Sequence, residues 1–173
     1  MQNIHIRKVI LQDIDELQCI SRQTFEETFA TENSYEDIQK YLDESFSKEK
    51  LTSELSNPNS DFYFVTSDSK VIGYLKLNLG MAQTELKDKN ALEIERIYVL
   101  KEYYGKQIGQ LLFDKALQIA KQLKANYIWL GVWEKNNRAI HFYIKNGFVE
   151  FGNHLFKLGN DEQTDMMMKL MLS

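Results

Sequence analysis

LEIERIYVLKEYYGKQIGQLLFDKALQIAKQL, from Leu92 to Leu123, and IWLGVWEKNNRAIHFYIKNGF, from Ile128 to Phe148, decide the reading of this chain. They read as strand, glycine-bearing turn, helix, strand and helix. Leu92 to Leu100 is dense in apolar and β-branched side chains, the composition of a strand buried on both faces. It also carries Glu93, Glu95 and Arg96. Charges in a central strand are costly unless paired or solvated, so this strand is expected to open on a polar cleft. In a regular strand Glu93 and Glu95 share a face. The simpler alternative is that one of them merely pairs with Arg96.

Tyr104-Gly105-Lys106-Gln107-Ile108-Gly109 lies between that strand and a helix whose apolar stripe is Leu112, Ala116, Ile119, Ala120 and Leu123. Lys121 and Lys124 suit its C-terminal dipole, and Asn126 offers a stop. Glycines before a helix let backbone N–H groups converge on an anion, so a phosphate or pyrophosphate is the natural guest. The spacing matches neither GxxxxGK[ST] nor GxGxxG, which argues against a P-loop NTPase or a dinucleotide dehydrogenase. Tyr127 to Trp133 is a second apolar strand. Asn136 or Asn137 then offers an N-cap for a short helix, Arg138 to Asn146, which Gly147 ends.

Outward from this stretch the chain reads as one domain, residues 1–173, of mixed α/β type. Ile4 to Val9 forms a strand, and Asp13 with Glu16 forms a capping box opening a helix to about Phe29. Ser34 with Asp37 opens a second helix, and Lys48 to Leu55 forms a third, closed by Asn57-Pro58. Asp61 to Thr66 and Val71 to Leu79 make an antiparallel hairpin. Met81 to Ala91 reads as an exposed polar loop. Val149 to Leu158 and Asp165 to Leu172 form a last hairpin, with Met166, Met167 and Met168 as core filler.

Composition narrows the function. A hydrophobic fraction of 43% and a charged fraction of 27% are those of an ordinary globular protein. The net charge of −4 argues against nucleic acid as partner and fits a cationic small molecule. Cys19 is the only cysteine, and His5, His141 and His154 lack metal-ligand spacing, so no metal is expected and the histidines read as structural or incidental. No apolar run approaches the roughly 18 residues of a membrane span, and the N-terminus has no leader pattern. No membrane association and a cytoplasmic location are the expectations.

E-I-E-R-I-Y-V from Glu93, Y-x-x-x-x-G from Tyr104, and N-x-x-A-I-x-F-Y-x-x-x-G-F from Asn136 together resemble the GCN5-related N-acetyltransferase (GNAT) superfamily. The chain departs from that family's [RQ]-x-x-G-x-[GA] turn, with Tyr104 for Arg or Gln and Gln107 for the first glycine. The position of Gln107 is strained if it requires a positive φ. The resemblance implies a mixed central sheet whose fourth and fifth strands splay apart, flanked by helices. It implies acetyl-CoA as cosubstrate, its pantetheine along Ile97, Tyr98 and Val99 and its pyrophosphate on Tyr104, Gly105, Lys106, Gln107, Ile108 and Gly109. Asn136 is implied as a hydrogen-bond partner to it. Tyr143 is implied as the acid that protonates the departing thiolate, a role that suits a phenol of pKa ~10. Glu93 is the first candidate for the base and Glu95 the second, and a bulge could exchange which of them faces the cleft.

TFEETF, Tyr41-Leu42, SDFYFV, LEIERIYV, IWLGVWEKN, AIHFY and DEQTD resemble the Pai-type spermidine/spermine N-acetyltransferases of bacteria. This implies direct transfer to a polyamine within a ternary complex. The resemblance also implies that the acceptor side of the cleft is covered by Thr24 to Phe46. Its Glu26, Glu27, Glu32, Glu36, Asp37, Asp43 and Glu44 read either as a solvated helical face or as an acidic lip for an oligocation. A homodimer is compatible with the sequence. Two alternatives remain: another acceptor (protein N-terminus, amino acid or other small amine), or a non-catalytic acyl-CoA-binding module.

Overall fold

The structure is a computed structural model and describes residues 2–173. In chain order it comprises β1 (Ile4–Lys8), α1 (Ile14–Phe29), α2 (Tyr35–Ser45), α3 (Lys48–Ser56), β2 (Ser60–Ser67), β3 (Lys70–Leu79), β4 (Ala91–Val99), α4 (Ile108–Gln122), β5 (Tyr127–Trp133), α5 (Asn137–Lys145), β6 (Val149–Leu158) and β7 (Asp161–Met171). The strands form one sheet in the order β1-β2-β3-β4-β5-β7-β6. Every pairing is antiparallel except β4 with β5. β3 is buried from Val71 to Asn78, so both faces of the sheet need helical cover. α1 and α3 pack against β2, β3 and β4, while α4 lies on β3, β4 and β5.

Local chemistry fixes most element ends. The Ser34 hydroxyl accepts from the Asp37 N–H at 3.1 Å and caps α2, and Ser47 does the same for α3 through Lys50. Asp13 departs from the expected capping box. Its carboxylate is drawn backward, accepting from the Ile10 N–H at 2.9 Å and from Arg7, so it caps the preceding turn instead. At the end of α4 the left-handed residue is Lys124, with φ 56°, not Asn126. The Ala125 N–H reaches back to the Ala120 carbonyl at 2.9 Å in a Schellman-type closure. Leu123 is thereby thrown out of the apolar stripe and is half exposed.

The segment between β3 and β4 is exposed along most of its length, as its polar composition predicts, but it is anchored at one residue. Gln83 is fully buried, accepting from the Trp129 indole at 2.6 Å and donating to the carbonyls of Gly80 and Asp88. The amide oxygen fastens the loop to β5, and the two N–H groups tie the loop to itself.

The charges of β4 are satisfied by residues distant in sequence. Lys76 pairs with Arg96 across β3 and β4, whereas Leu77 pairs with Ile94, so Glu95 is the bulged residue. Arg96 donates to both oxygens of Glu54 on α3, at 2.9 and 3.2 Å, and stands 4.0 Å from Glu95. Lys76 bridges Glu54, at 3.2 Å, and Glu95. The simple pairing of a β4 glutamate with Arg96 is therefore replaced by a four-residue network. Glu54→Ala takes both hydrogen bonds from Arg96, leaving it only Glu95 at 4.0 Å, and leaves Lys76 with Glu95 alone. The substitution is expected to lower the unfolding free energy by about 2–3 kcal/mol, read from urea denaturation.

Candidate active site

β4 and β5 pair over only three positions, Ala91 with Tyr127, Leu92 with Ile128, and Glu93 with Trp129. Beyond that fork β4 stays bonded to β3 through Val99, so its other backbone edge is bare. A cleft of about 600 Å³ opens there. Ile97, Tyr98 and Val99 line it, as do Tyr104, Gly105, Gln107, Ile108, Gly109, Asn136, Tyr143, Glu93 and Glu95. Lys106 is the one candidate that does not. Its ammonium lies 4.9 Å over the Tyr103 ring and its N–H is used on the Tyr103 carbonyl.

At one end the cleft is built for an anion. Gln107 adopts φ 62° and ψ 16°, the left-handed conformation that a glycine would take without strain. Among the described residues the N–H groups of Gln107, Ile108, Gly109 and Gln110 have no protein acceptor. A Cβ placed on Gly105 or Gly109 meets nothing within 4 Å, so open space lies over the turn. Arg138, which sequence reasoning passed over, stacks its guanidinium 3.6 Å from the Tyr104 ring centroid and also lines the cleft. Bare amides, a helix N-terminus and an arginine together fit a pyrophosphate.

Asn136 is both a cap and a wall. Its Oδ1 accepts from the Ala139 N–H at 3.2 Å and starts α5, leaving its NH₂ free for another acceptor. Tyr143 follows on the same helix, with its ring edge-on to Phe142 and Phe148. Its hydroxyl makes no hydrogen bond to the described residues. Burial raises its pKa above that of an ordinary phenol, so it carries its proton at neutral pH.

The two β4 carboxylates have opposite electrostatics. Glu93 is buried without a cation. It accepts from the Asn78 amide at 3.0 Å, the Thr84 N–H at 2.8 Å and the Thr84 hydroxyl at 2.5 Å. Burial outweighs these bonds and pushes its carboxyl above the ordinary glutamate range. For Glu95, burial pushes the same way, but the charges of Arg96 and Lys76 prevail and hold it low. Asn78 also donates to Glu95, at 3.1 Å, so the bulge leaves the two side by side.

The acidic lip does not form. The α1–α2 side of the cleft is walled by Phe25, Phe29, Tyr41 and Phe46, and none of its seven acidic residues lines the cleft. Glu27 accepts from the Lys101 N–H, Asp37 from the Asn160 N–H, and Asp43 pairs with Arg22. The cleft draws its acids from elsewhere, namely Glu93, Glu95 and Asp165. His154, read as incidental, lines the cleft beside Asp165. No group of three or more metal-ligating side chains is assembled among the described residues, and none of their helices is long and apolar enough to cross a membrane.

A family model described as the acetyltransferase (GNAT) family matches residues 15–148. The chain belongs to that family. An uncharacterized N-acetyltransferase from the pepI 3′ region of Lactobacillus delbrueckii subsp. lactis is 42% identical over 169 residues, covering 98% of each chain. The spermidine N(1)-acetyltransferase of Thermoplasma acidophilum is 33% identical over 150 residues, covering 84% of this chain and 88% of its own. Among solved structures, the PaiA N-acetyltransferase of the same organism in complex with coenzyme A superposes with a TM-score of 0.82 at 29% identity, covering 98% of this chain and 99% of its own. The mixed sheet with its forked fourth and fifth strands is the GNAT fold, and N-acetyl transfer with acetyl-CoA as donor is the chemistry it serves.

Proposed function

We propose that this chain acetylates polyamines, with Glu93 as the general base and Tyr143 as the general acid. The observation that carries the chemistry is their placement. A buried carboxylate with raised pKa and a phenol without a protein partner line one cleft at the fork of β4 and β5. Bound acetyl-CoA supplies an acetyl thioester. The bare edge of β4 at Ile97 to Val99 offers N–H and C=O groups to its amides. The turn from Gly105 to Gly109, with Arg138, holds its phosphates, and the free NH₂ of Asn136 donates to it. Glu93 takes the proton that an ammonium acceptor must lose, and its raised pKa brings it nearer the operating pH than Glu95. Tyr143 Oη presents its proton where negative charge develops on sulfur.

The polyamine acceptor rests on the Thermoplasma spermidine relative and on the cleft itself, whose carboxylates sit among aromatic walls. Methylene chains suit the aromatic rings and ammonium groups suit the acids. Thiol release from acetyl-CoA across spermidine, spermine, putrescine, lysine and a short peptide tests this reading. Saturable release with the polyamines, at kcat/KM at least ~10-fold above lysine or peptide, is the expected result. Preference for the peptide would move the acceptor to a protein N-terminus. Tight binding of acetyl-CoA with release for none of the amines would leave a binding module.

A further inference from the structure

Acetyl transfer as described leaves one acidic group of the cleft without a task. Asp165, on β7, stands opposite Trp133 of β5 in the sheet register. Its side chain is only 17% exposed, and it accepts no hydrogen bond from the described residues. Its neighbour is His154 of β6, whose Nε2 lies 3.6 Å away. The other imidazole nitrogen, Nδ1, is buried without a hydrogen-bond partner, 3.5 Å from Glu85 Oε1 in the loop before β4. A largely buried carboxylate that faces a cleft and lacks a donor is an unusual thing to keep. Burial pushes it up to about 6, with His154 opposing and Glu85 adding to the shift. At neutral pH it is therefore mostly ionised, at an energetic cost that a bound cation would offset.

Space at this place is kept deliberately. Gly131 of β5 has no need of glycine for its φ, yet a Cβ there would stand 3.3 Å from His154 Cε1 and 3.4 Å from Asp165 Oδ2. Bulk at residue 131 would press on both groups. Beside them, Phe29 stacks at a tilt on Trp133, with centroids 5.1 Å apart, and Phe156 lies 6.2 Å from Phe29. A carboxylate next to an aromatic wall is a site for an alkylammonium.

We propose that Asp165, backed by His154 and Glu85, binds the second, non-reacting ammonium of the acceptor, and so selects diamines and polyamines over monoamines. This rests on the amine-acceptor reading above and adds a residue-level origin for its selectivity. Glu93 needs an amine that gives up its proton, whereas Asp165 needs one that keeps it. A single monoamine cannot serve both, and the methylene chain between two amines lies on the aromatic wall.

The test compares wild type with Asp165→Asn on spermidine and on butylamine, and measures spermidine binding to the coenzyme A-loaded protein by calorimetry. Asparagine keeps the shape and removes the charge. The ratio of the two kcat/KM values is expected to fall ~10-fold or more, chiefly through KM for spermidine, with a matching loss in calorimetric affinity. Gly131→Ala, which crowds the pair without touching its charge, is expected to move the ratio in the same direction. A ratio that Asp165→Asn leaves unchanged overturns the subsite, whether both amines hold or both decline together. Spermidine turnover that survives with wild-type affinity overturns the subsite alone. A wild-type protein that acetylates a peptide but neither binds nor acetylates spermidine overturns the polyamine reading and this subsite with it.

Discussion

Tyr143→Phe is expected to reduce kcat by ~10²–10³ while leaving calorimetric affinity for coenzyme A within a few-fold of wild type. The substitution is clean for a structural reason. The Tyr143 ring packs edge-on to Phe142 and Phe148, contacts that phenylalanine retains in full. The hydroxyl has no hydrogen-bond partner among the described residues, so its removal strands no other group. Any loss of turnover is then a loss of chemistry and not of fold, and kcat and kcat/KM should fall together. Because burial raises this phenol, full proton transfer to a thiolate of ordinary pKa is uphill. In the proposed role the hydroxyl therefore acts chiefly by donating a hydrogen bond to charge developing on sulfur. Undiminished turnover in the variant would remove Tyr143 as the acid.

Glu93→Gln is expected to lower kcat by ~10² or more and, at the same time, to raise Tm. The site can accept the amide. Its Oε1 would keep the donors from Asn78 and the Thr84 N–H, and the new NH₂ could donate to the Thr84 hydroxyl, which need only rotate. The stability effect follows from the sign of the pKa shift. A carboxyl raised by folding contributes stability that is fully present below its unfolded value of ~4.3 and is lost as pH rises through the folded value. At neutral pH the wild type thus holds Glu93 ionised at the expense of stability, and glutamine removes that burden. The pH profile of kcat supplies a second check. The wild-type acid limb should lie above the ordinary glutamate value, and the variant should lack it. A fully active variant with the limb intact would transfer the base role to another group of the cleft.

Signals that act within a few residues were legible in the sequence. Ser34 and Asn136 cap their helices, Gly147 takes φ 94° after α5, and Tyr127–Trp133 has the strand bounds that its apolar run predicts. These follow from one side chain meeting a backbone group three residues away, or from periodicity alone. Of the cleft, Tyr143 was legible on the helix that Asn136 starts, and β4, with Glu93 and Glu95, was legible as a strand opening on a polar cleft; all three residues line it. Partners far apart in the chain were not legible. Glu54 meets Arg96 across 42 residues, Gln83 meets Trp129 across 46, and Asp165 joins the cleft only because β7 pairs with β5. The acidic lip failed for a reason that periodicity contains. Ile38, Tyr41 and Leu42 turn one face of α2 inward, and that same spacing sends Glu36 and Glu44 outward.

The fork between β4 and β5 has a bearing on self-association. Bare strand edges recruit strands from other chains, and proteins usually guard them at the margins of a sheet. Here the sheet carries an additional pair of bare edges in its interior, facing each other across the cleft. A foreign polypeptide entering as a strand would have to drive side chains alternately up and down into layers that α1 and α4 already fill. An unbranched chain of amides meets no such obstacle. By parting at its centre, the sheet offers backbone hydrogen bonds to a slender guest while adding no sticky margin to the molecule.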